Sequence, residues 1–107
     1  MRLIIITLLF PIFSFSQSYD ILFIGNSYTY YNNLPEMLSN IANAFGDSVN
    51  YDQSTPGGTS LYAHSQNQTT LNKINQQSWD YVVLQDQSQR PSLSPTYVAA
   101  SVYPYAS

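Results

Sequence analysis

The spacing of the hydrophobic residues predicts a strand followed by a helix in the first part of the chain. Residues 21–24 are all apolar and lie between Asp20 and Gly25, which is the pattern of a strand covered on both faces of a sheet. Apolar residues then recur at helical spacing, which predicts an amphipathic helix that ends near Gly46. The residues expected on its inner face are Leu34, Leu38, Ile41, Ala42 and Phe45.

The second half of the chain repeats this alternation of strand and helix. The segment 48–53 is short and its residues alternate in polarity, which predicts a second strand. The Pro- and Gly-rich residues 55–58 predict a turn. A helix is expected next, with Leu71 and Ile74 on its inner face. Residues 80–85 are rich in β-branched and aromatic side chains and predict a third strand.

The first 16 residues have the organisation of a secretory signal peptide. Arg2 provides a short positive region, residues 3–13 form an apolar stretch, and Ser14 and Ser16 are the small residues that a signal peptidase reads. The apolar stretch is about half as long as the roughly 20 residues of a membrane span. We therefore expect cleavage near Ser16, a secreted or periplasmic location and no stable membrane anchor afterwards. The alternative is a buried N-terminal strand.

The predicted order of elements defines the fold class. Strands and helices alternate as β-α-β-α-β, followed by a polar loop at 86–95 and a further helix at 96–106. Short connections between such elements favour parallel strands joined by right-handed crossovers, which is the α/β class. Residues 17–107 suffice for one small domain. No predicted strand follows the last helix, so we expect a sheet truncated after about three strands.

Composition narrows the range of partners. The chain has no cysteine, which excludes disulfides and a lipid anchor on cysteine, and residues 17–107 carry two basic and six acidic side chains. Nucleic acids and anionic membranes reward clustered Lys and Arg, so neither is expected as a partner. Abundant Tyr, Asn, Gln and Ser favour a neutral polar ligand such as a sugar. No group of His, Cys and carboxylates has metal-ligand spacing, and no metal or cofactor is expected.

Each predicted strand ends in residues that are able to support chemistry. The first ends at Gly25-Asn26-Ser27, the second leads to Pro56-Gly57-Gly58-Thr59, and the third leads to Gln85-Asp86-Gln87-Ser88-Gln89. Ligands of parallel α/β sheets bind outside the carboxyl ends of the strands. The sequence therefore predicts that these three segments converge on one site.

These three blocks, in this order, resemble the SGNH (GDSL-like) hydrolases, in particular a secreted branch whose third block reads close to the sequence at 79–92, WDYVVLQDQSQRPS. The resemblance covers about residues 19–107. It implies a three-layer α/β/α fold with a parallel sheet, the flavodoxin-like SGNH-hydrolase fold. It also implies a secreted serine esterase that hydrolyses small acyl esters, here expected on carbohydrates.

The resemblance assigns roles to residues of the first two blocks. Ser27 matches the family nucleophile. Asn26 stands where the family block usually has the Asp of Gly-Asp-Ser, which is an isosteric departure that keeps hydrogen bonding. Gly57 matches the glycine whose backbone N–H serves the oxyanion hole together with that of Ser27, and Gly58 is the alternative register. A side chain there would obstruct the close approach of the backbone to an oxyanion.

The third block departs further from the family pattern. The family has Gly-x-Asn-Asp, whose Asn amide completes the oxyanion hole, whereas this chain has Gln87-Ser88-Gln89. An ungapped match places Gln89 at the Asn position, and a shorter loop would use Gln87. Either amide is able to donate a hydrogen bond.

The fourth block of the family, an Asp-x-x-His that supplies the base, has no counterpart in these residues. A serine hydroxyl is a poor nucleophile without a base beside it. The single histidine, His64, is not at the family position, and we expect it at the surface or at the edge of the substrate site. The chain is therefore expected to be an N-terminal fragment of an esterase. The alternative is a non-catalytic glycan-binding or remnant domain of the same fold.

Three groups of residues near these blocks also have structural explanations. Ser27 is a good candidate for the N-cap of the following helix. Asp86 is either a general acid or, more simply, a cap or a solvated loop residue. The tyrosines at 28, 30 and 31 either stack on a sugar or pack over the sheet.

Overall fold

The computed structural model of the chain describes residues 2–13 and 15–107. Met1 and Ser14, the latter part of the predicted cleavage motif, lie outside the described residues. Residues 2–13 contain no helix or strand and are exposed throughout. Among the described residues, no helix has the length and apolar character needed to cross a membrane.

The described part of the chain folds into alternating strands and helices, which confirms the α/β class. The strands are β1 (Ser18–Ile24), β2 (Ser48–Ser54) and β3 (Tyr81–Leu84). The α-helices are α1 (Ser27–Tyr30), α2 (Leu34–Ala44), α3 (Leu61–Ser65), α4 (Gln68–Asn75) and α5 (Pro95–Ser101). Short 3₁₀ helices cover Arg90–Ser92 and Tyr103–Tyr105.

The three strands form one parallel sheet in the order β2-β1-β3. The central strand β1 aligns Ile24 with Ser54 of β2 and with Leu84 of β3. All three strands therefore end at the same edge of the sheet. This edge is where the segments after the strands meet.

The apolar run of β1 is buried on both faces of the sheet, as its continuous hydrophobicity predicts. Leu22 and Ile24 form a cluster with Leu61 and Val102 on one face. Phe23 points to the other face and is only 2% exposed. Its ring centroid lies 6.4 Å from that of a tyrosine of β2, in an edge-on arrangement.

Helix α2 buries less of its predicted inner face than its periodicity indicates. Leu38 and Ala42 are half-buried, but Leu34, Ile41 and Phe45 are exposed, Phe45 by 84%. The reason is the narrow sheet: α2 packs on β2, which is an edge strand and covers only one flank of the helix. The other edge strand, β3, likewise leaves its side chains exposed on both faces.

An ion pair links the helical layer to the sheet. Lys73 of α4 places its Nζ 2.6 Å from a carboxylate oxygen of Asp52 on β2. Desolvation of the Asp52 carboxyl raises its pKa, but the hydrogen bond from Lys73, the backbone N–H of Gln53 and the Lys73 charge together lower it by more. The pKa of Asp52 therefore lies below its ordinary value of 3.8.

Replacing the lysine of this pair makes the pH dependence of stability testable. Because the folded state has the depressed pKa, the stabilisation is present above pH 3.8 and is lost as the pH falls through the folded-state pKa. We expect Lys73→Met to lower the free energy of unfolding at neutral pH by at most about 1 kcal/mol, since water screens a partly exposed pair. Urea unfolding over a pH series measures the effect, with Lys73→Arg as the control that keeps the charge. A difference between Lys73→Met and the unaltered chain that persists at the acidic end would contradict this explanation.

Candidate active site at the carboxyl ends of the strands

The segments that follow the strands continue the pairing of the sheet beyond its last ladder positions. The backbone N–H of Gly25 donates to the carbonyl oxygen of Ser54 at 3.0 Å. On the other side, the N–H of Gln85 donates to the carbonyl oxygen of Ile24 at 2.9 Å. The three strand ends are therefore in register when the chain leaves the sheet, and the residues after them face one another.

One buried side chain, that of Asn26, joins all three segments. Its Nδ2 donates to the carbonyl oxygen of Thr59 at 3.0 Å and to that of Asp86 at 3.3 Å. Its Oδ1 accepts from the backbone N–H of Tyr28 at 3.2 Å, which caps helix α1. The side chain is 2% exposed, so water does not replace these partners. Asn26 thus connects the turn after β1 with the loops after β2 and β3.

This geometry gives Asn26 a role that aspartate is unable to fill. Both amide protons of its side chain are directed at carbonyl oxygens, which accept hydrogen bonds and never donate them. An ionised carboxylate is also only an acceptor. An aspartate at this position would leave the Thr59 carbonyl unpaired and the Asp86 carbonyl with only Gln85 Nε2 as a donor, and it would place its charge beside both. The amide therefore does more than preserve the shape of aspartate.

The backbone at Gly25 and Asn26 is packed tightly against Gln85. The Oε1 atom of Gln85 accepts from the Asn26 N–H at 3.1 Å and from Thr29 Oγ1 at 3.0 Å. A Cβ atom added to Gly25 would overlap with Thr29 Oγ1 and lie 2.8 Å from Gln85 Oε1. A residue with a side chain therefore does not fit at position 25, because Thr29 and Gln85, which hold the turn, occupy the volume that its Cβ atom would need.

Ser27 is the first residue of α1 and not its N-cap, so its predicted alternative role as a cap is wrong. The cap is Asn26, whose side chain bonds to Tyr28. Ser27 is half-buried, and its hydroxyl makes no hydrogen bond to another described residue. It lines a surface pocket of about 350 Å³ with Tyr28, Tyr31 and Asn32. Tyr28 and Tyr31 are 70% and 79% exposed, so they do not pack over the sheet.

The expected oxyanion residues lie on the neighbouring loops, but no described hydrogen bond joins them to Ser27. A Cβ atom on Gly57 would sit 3.6 Å from the hydroxyl oxygen of Tyr30 in α1, which places Gly57 beside that helix. Gly58 has a φ of 68°, which explains it as a turn residue. Gln87 Oε1 accepts from the backbone N–H of Gln89 at 2.9 Å, and Gln89 is exposed.

His64 is buried, and its predicted place at the surface or the substrate edge is wrong. The residue is 3% exposed. Its Nε2 lies 2.7 Å from the carbonyl oxygen of Gly25, and its Nδ1 lies 2.8 Å from Thr70 Oγ1. A signal was present in the sequence: His64 follows Leu61 by three residues and therefore shares its inward face of α3.

Asp86 acts as a cap. Its Oδ1 accepts from the backbone N–H of Leu61, the first residue of α3, at 2.9 Å, and from that of Gln87 at 2.7 Å. The N-cap Ser60 accepts from the N–H of Ala63, so the two side chains together satisfy two of the N-terminal N–H groups of that short helix. Its other oxygen, Oδ2, is buried and has no partner among the described residues. Nothing in this arrangement directs Asp86 towards Ser27 as a general acid.

Comparisons with protein-family models, curated proteins and solved structures found no match to this chain. The resemblance to SGNH hydrolases therefore depends on the three sequence blocks alone. In the structure, these three blocks meet at one edge of a parallel sheet.

The carbonyl pairing of Asn26 predicts a large effect of a small change. We expect Asn26→Asp to lower the free energy of unfolding at neutral pH by about 3 kcal/mol, because it buries a charge beside two carbonyl oxygens and leaves that of Thr59 without a donor. Asn32→Asp is the matched control, since Asn32 is exposed on the next turn and should tolerate the same change. Chemical denaturation followed by circular dichroism measures both. Equal stability of the two variants would contradict the assigned role of Asn26.

The space around Gly25 gives a second prediction. We expect Gly25→Ala to lower the free energy of unfolding by about 2 kcal/mol, as forced overpacking typically does. Gly57→Ala is the control, because the nearest atom to its added Cβ lies at an ordinary contact distance of 3.6 Å. The same denaturation experiment compares them. If Gly25→Ala is as stable as Gly57→Ala, the Gln85 and Thr29 side chains do not hold the turn as described.

Proposed function

We propose that this chain is part of an exported serine esterase of the SGNH type that removes small acyl groups from carbohydrates. The proposal includes the flavodoxin-like three-layer fold. The parallel order β2-β1-β3 supports it, because this is the order of the first three strands in flavodoxin-like sheets. The resemblance of the three blocks supplies the reaction class.

The observation that carries the proposal is the position of Ser27. It lies two residues beyond Gly25 at the end of the central strand, on the turn that the Asn26 side chain ties to both neighbouring loops. Ligands of parallel sheets bind at this edge. The Ser27 hydroxyl is not used as a cap and borders a pocket, so it remains available to a substrate.

In the proposed reaction, Ser27 Oγ attacks the ester carbonyl carbon and the carbonyl oxygen becomes an oxyanion. The backbone N–H groups of Ser27 and Gly57 would hold this oxyanion. Neither group has a partner among the described residues, and Ser27 provides one of the free N–H groups at the start of α1. Gln89 would supply the third donor, or Gln87 through its Nε2, since its Oε1 is already bonded within the loop.

The base is not His64. Both of its ring nitrogens are bonded, to Gly25 and to Thr70, and neither contacts the Ser27 hydroxyl. The proposal therefore requires an Asp-x-x-His block encoded beyond Ser107. Its histidine would take the proton from Ser27 and return it to the leaving alcohol, and its aspartate would orient the ring.

A second candidate function is a glycan-binding domain without catalysis. It is favoured by the two exposed tyrosines, Tyr28 and Tyr31, which lie beside Ser27 in the same pocket. Aromatic faces of this kind stack on sugar rings. Under this alternative the same pocket binds a carbohydrate, and the Ser27 hydroxyl performs no chemistry.

The remaining parts of the proposal concern location and partners. We propose that residues 1–16 are a signal peptide and that the mature chain works in the periplasm or outside the cell. The acidic balance of residues 17–107 supports an uncharged ester substrate over nucleic acid or an anionic membrane. No cofactor is needed for acyl transfer to a serine.

Activity measurements separate the two candidate functions. We expect the 107-residue chain to show negligible hydrolysis of p-nitrophenyl acetate and negligible labelling by a serine-reactive phosphonate, because it lacks a base. The product of the complete reading frame should hydrolyse the ester, and Ser27→Ala should reduce its turnover by at least about 1,000-fold. Ser88→Ala, at the same edge of the sheet, is the control that should retain activity.

Three outcomes would overturn the esterase proposal. They are a complete reading frame without Asp-x-x-His, a Ser27→Ala variant as active as the unaltered enzyme, and hydrolysis by the 107-residue chain that depends on His64. The glycan-binding alternative predicts instead that the 107-residue chain binds acetylated oligosaccharides and that Tyr28→Ala and Tyr31→Ala weaken this binding without any turnover.

A further inference from the structure

The peptide group between Gly25 and Asn26 is held from two opposite sides. Its carbonyl oxygen lies 2.7 Å from His64 Nε2, and its N–H donates to Gln85 Oε1 at 3.1 Å. The carbonyl and the N–H of one planar trans peptide point in opposite directions. His64 from α3 and Gln85 from the end of β3 therefore clamp the plane of this peptide between them.

The contacts also determine the tautomer of the ring. The carbonyl oxygen of Gly25 is able only to accept, so the proton must be on His64 Nε2. In the neutral ring Nδ1 then accepts from the Thr70 hydroxyl at 2.8 Å, and Thr70 Oγ1 accepts from the Ser54 hydroxyl at 2.8 Å. The hydrogen bonds run in one direction, from Ser54 through Thr70 and His64 to Gly25. All four residues are buried.

We propose that His64 is a positioning residue, which as the neutral Nε2–H tautomer fixes the orientation of the Gly25–Asn26 peptide and thereby the direction in which the chain presents Ser27. That Ser27 is a nucleophile rests on the proposed function; the clamp on the peptide does not. His64 touches no reacting atom in this scheme. It acts through the backbone carbonyl of Gly25, the residue before the N-cap Asn26.

Loss of His64 would affect the N–H of Asn26 as well as the carbonyl of Gly25, because both groups belong to one planar peptide. Without the Nε2–H donor, the Gly25 carbonyl is buried without a partner and the plane is free to rotate. Rotation turns the Asn26 N–H away from Gln85 Oε1 and changes the backbone angles of Asn26, whose φ is −142° and ψ is −152°. These extended angles are what allow Asn26 to cap α1 and hold the two neighbouring loops.

A histidine buried only to fill space would give different results in nuclear magnetic resonance. His64 is the only histidine, so selective ¹⁵N-histidine labelling of the chain reports on this ring alone. We expect one neutral tautomer with the proton on Nε2, Nδ1 as an acceptor, and slow exchange of the ring proton. A proton on Nδ1, or rapid averaging between tautomers, would overturn the proposal without any variant being made.

Matched variants test the effect on the peptide. In His64→Leu the amide of Asn26 should exchange with solvent about tenfold faster, as the loss of one buried hydrogen bond implies, and the Asn26 and Ser27 resonances should move. His64→Gln supplies an N–H donor and should restore both. The amide of Ala42 in α2 is the internal control. Faster exchange at Asn26 that is matched at Ala42, or no rescue by His64→Gln, would show a general loss of stability and contradict the clamp.

The active product of the complete reading frame connects the clamp to chemistry. There His64→Leu should lower kcat for p-nitrophenyl acetate with little change in KM, and His64→Gln should recover most of it. If the unaltered full-length product has no Ser27-dependent activity, the proposed function fails. The role of His64 in fixing the Gly25–Asn26 peptide is still tested in that case by the ring tautomer and by the exchange rate of the Asn26 amide.

Discussion

The buried carboxamide of Asn26 is the contact on which the arrangement of the candidate site depends. Its donors and acceptor reach backbone groups of residues 28, 59 and 86, which belong to the three segments that follow the strands. Buried backbone groups need hydrogen-bond partners, and loops that leave a sheet have lost those of the ladder. One side chain that satisfies two such carbonyls and one N–H therefore defines how the loops lie against one another.

A polar centre of this kind suits a domain with little apolar core. In the part of the chain that the structure describes, the sheet has three strands, the side chains of β3 are exposed, and helix α2 leaves part of its apolar face uncovered. Hydrogen bonds that are directional and buried specify a unique arrangement where packing alone does not. The side chains of Gln85, His64 and Asn26 form such hydrogen bonds to the first turn after β1. None of these bonds involves the Ser27 hydroxyl.

Local patterns in the sequence were sufficient to predict the sheet. The second and third strands lie within one residue of their predicted bounds, and the first begins at Ser18, three residues before its predicted start. Their parallel pairing follows from the alternation with helices. The helices were predicted less well. The second predicted helix is divided into α3 and α4, with Asn67 as a new N-cap, and the last helix gives way to a 3₁₀ segment at Pro104. The inner face of α2 was overestimated because periodicity does not reveal how wide the sheet beneath a helix is.

The candidate site was predicted only in part, because some of its contacts join residues that are far apart in the sequence. The meeting of the three blocks follows from parallel strands, and the resemblance to SGNH hydrolases supplied Ser27, Gly57 and the two glutamines. The Asn26 contacts reach carbonyl groups 33 and 60 residues away, which no local pattern encodes. The most direct measurement is the exchange of the two Asn26 side-chain amide protons by nuclear magnetic resonance. We expect them to be protected far beyond those of Asn32 and to show cross-peaks to residues 59 and 86; exchange as fast as that of Asn32 would contradict the central role of this side chain.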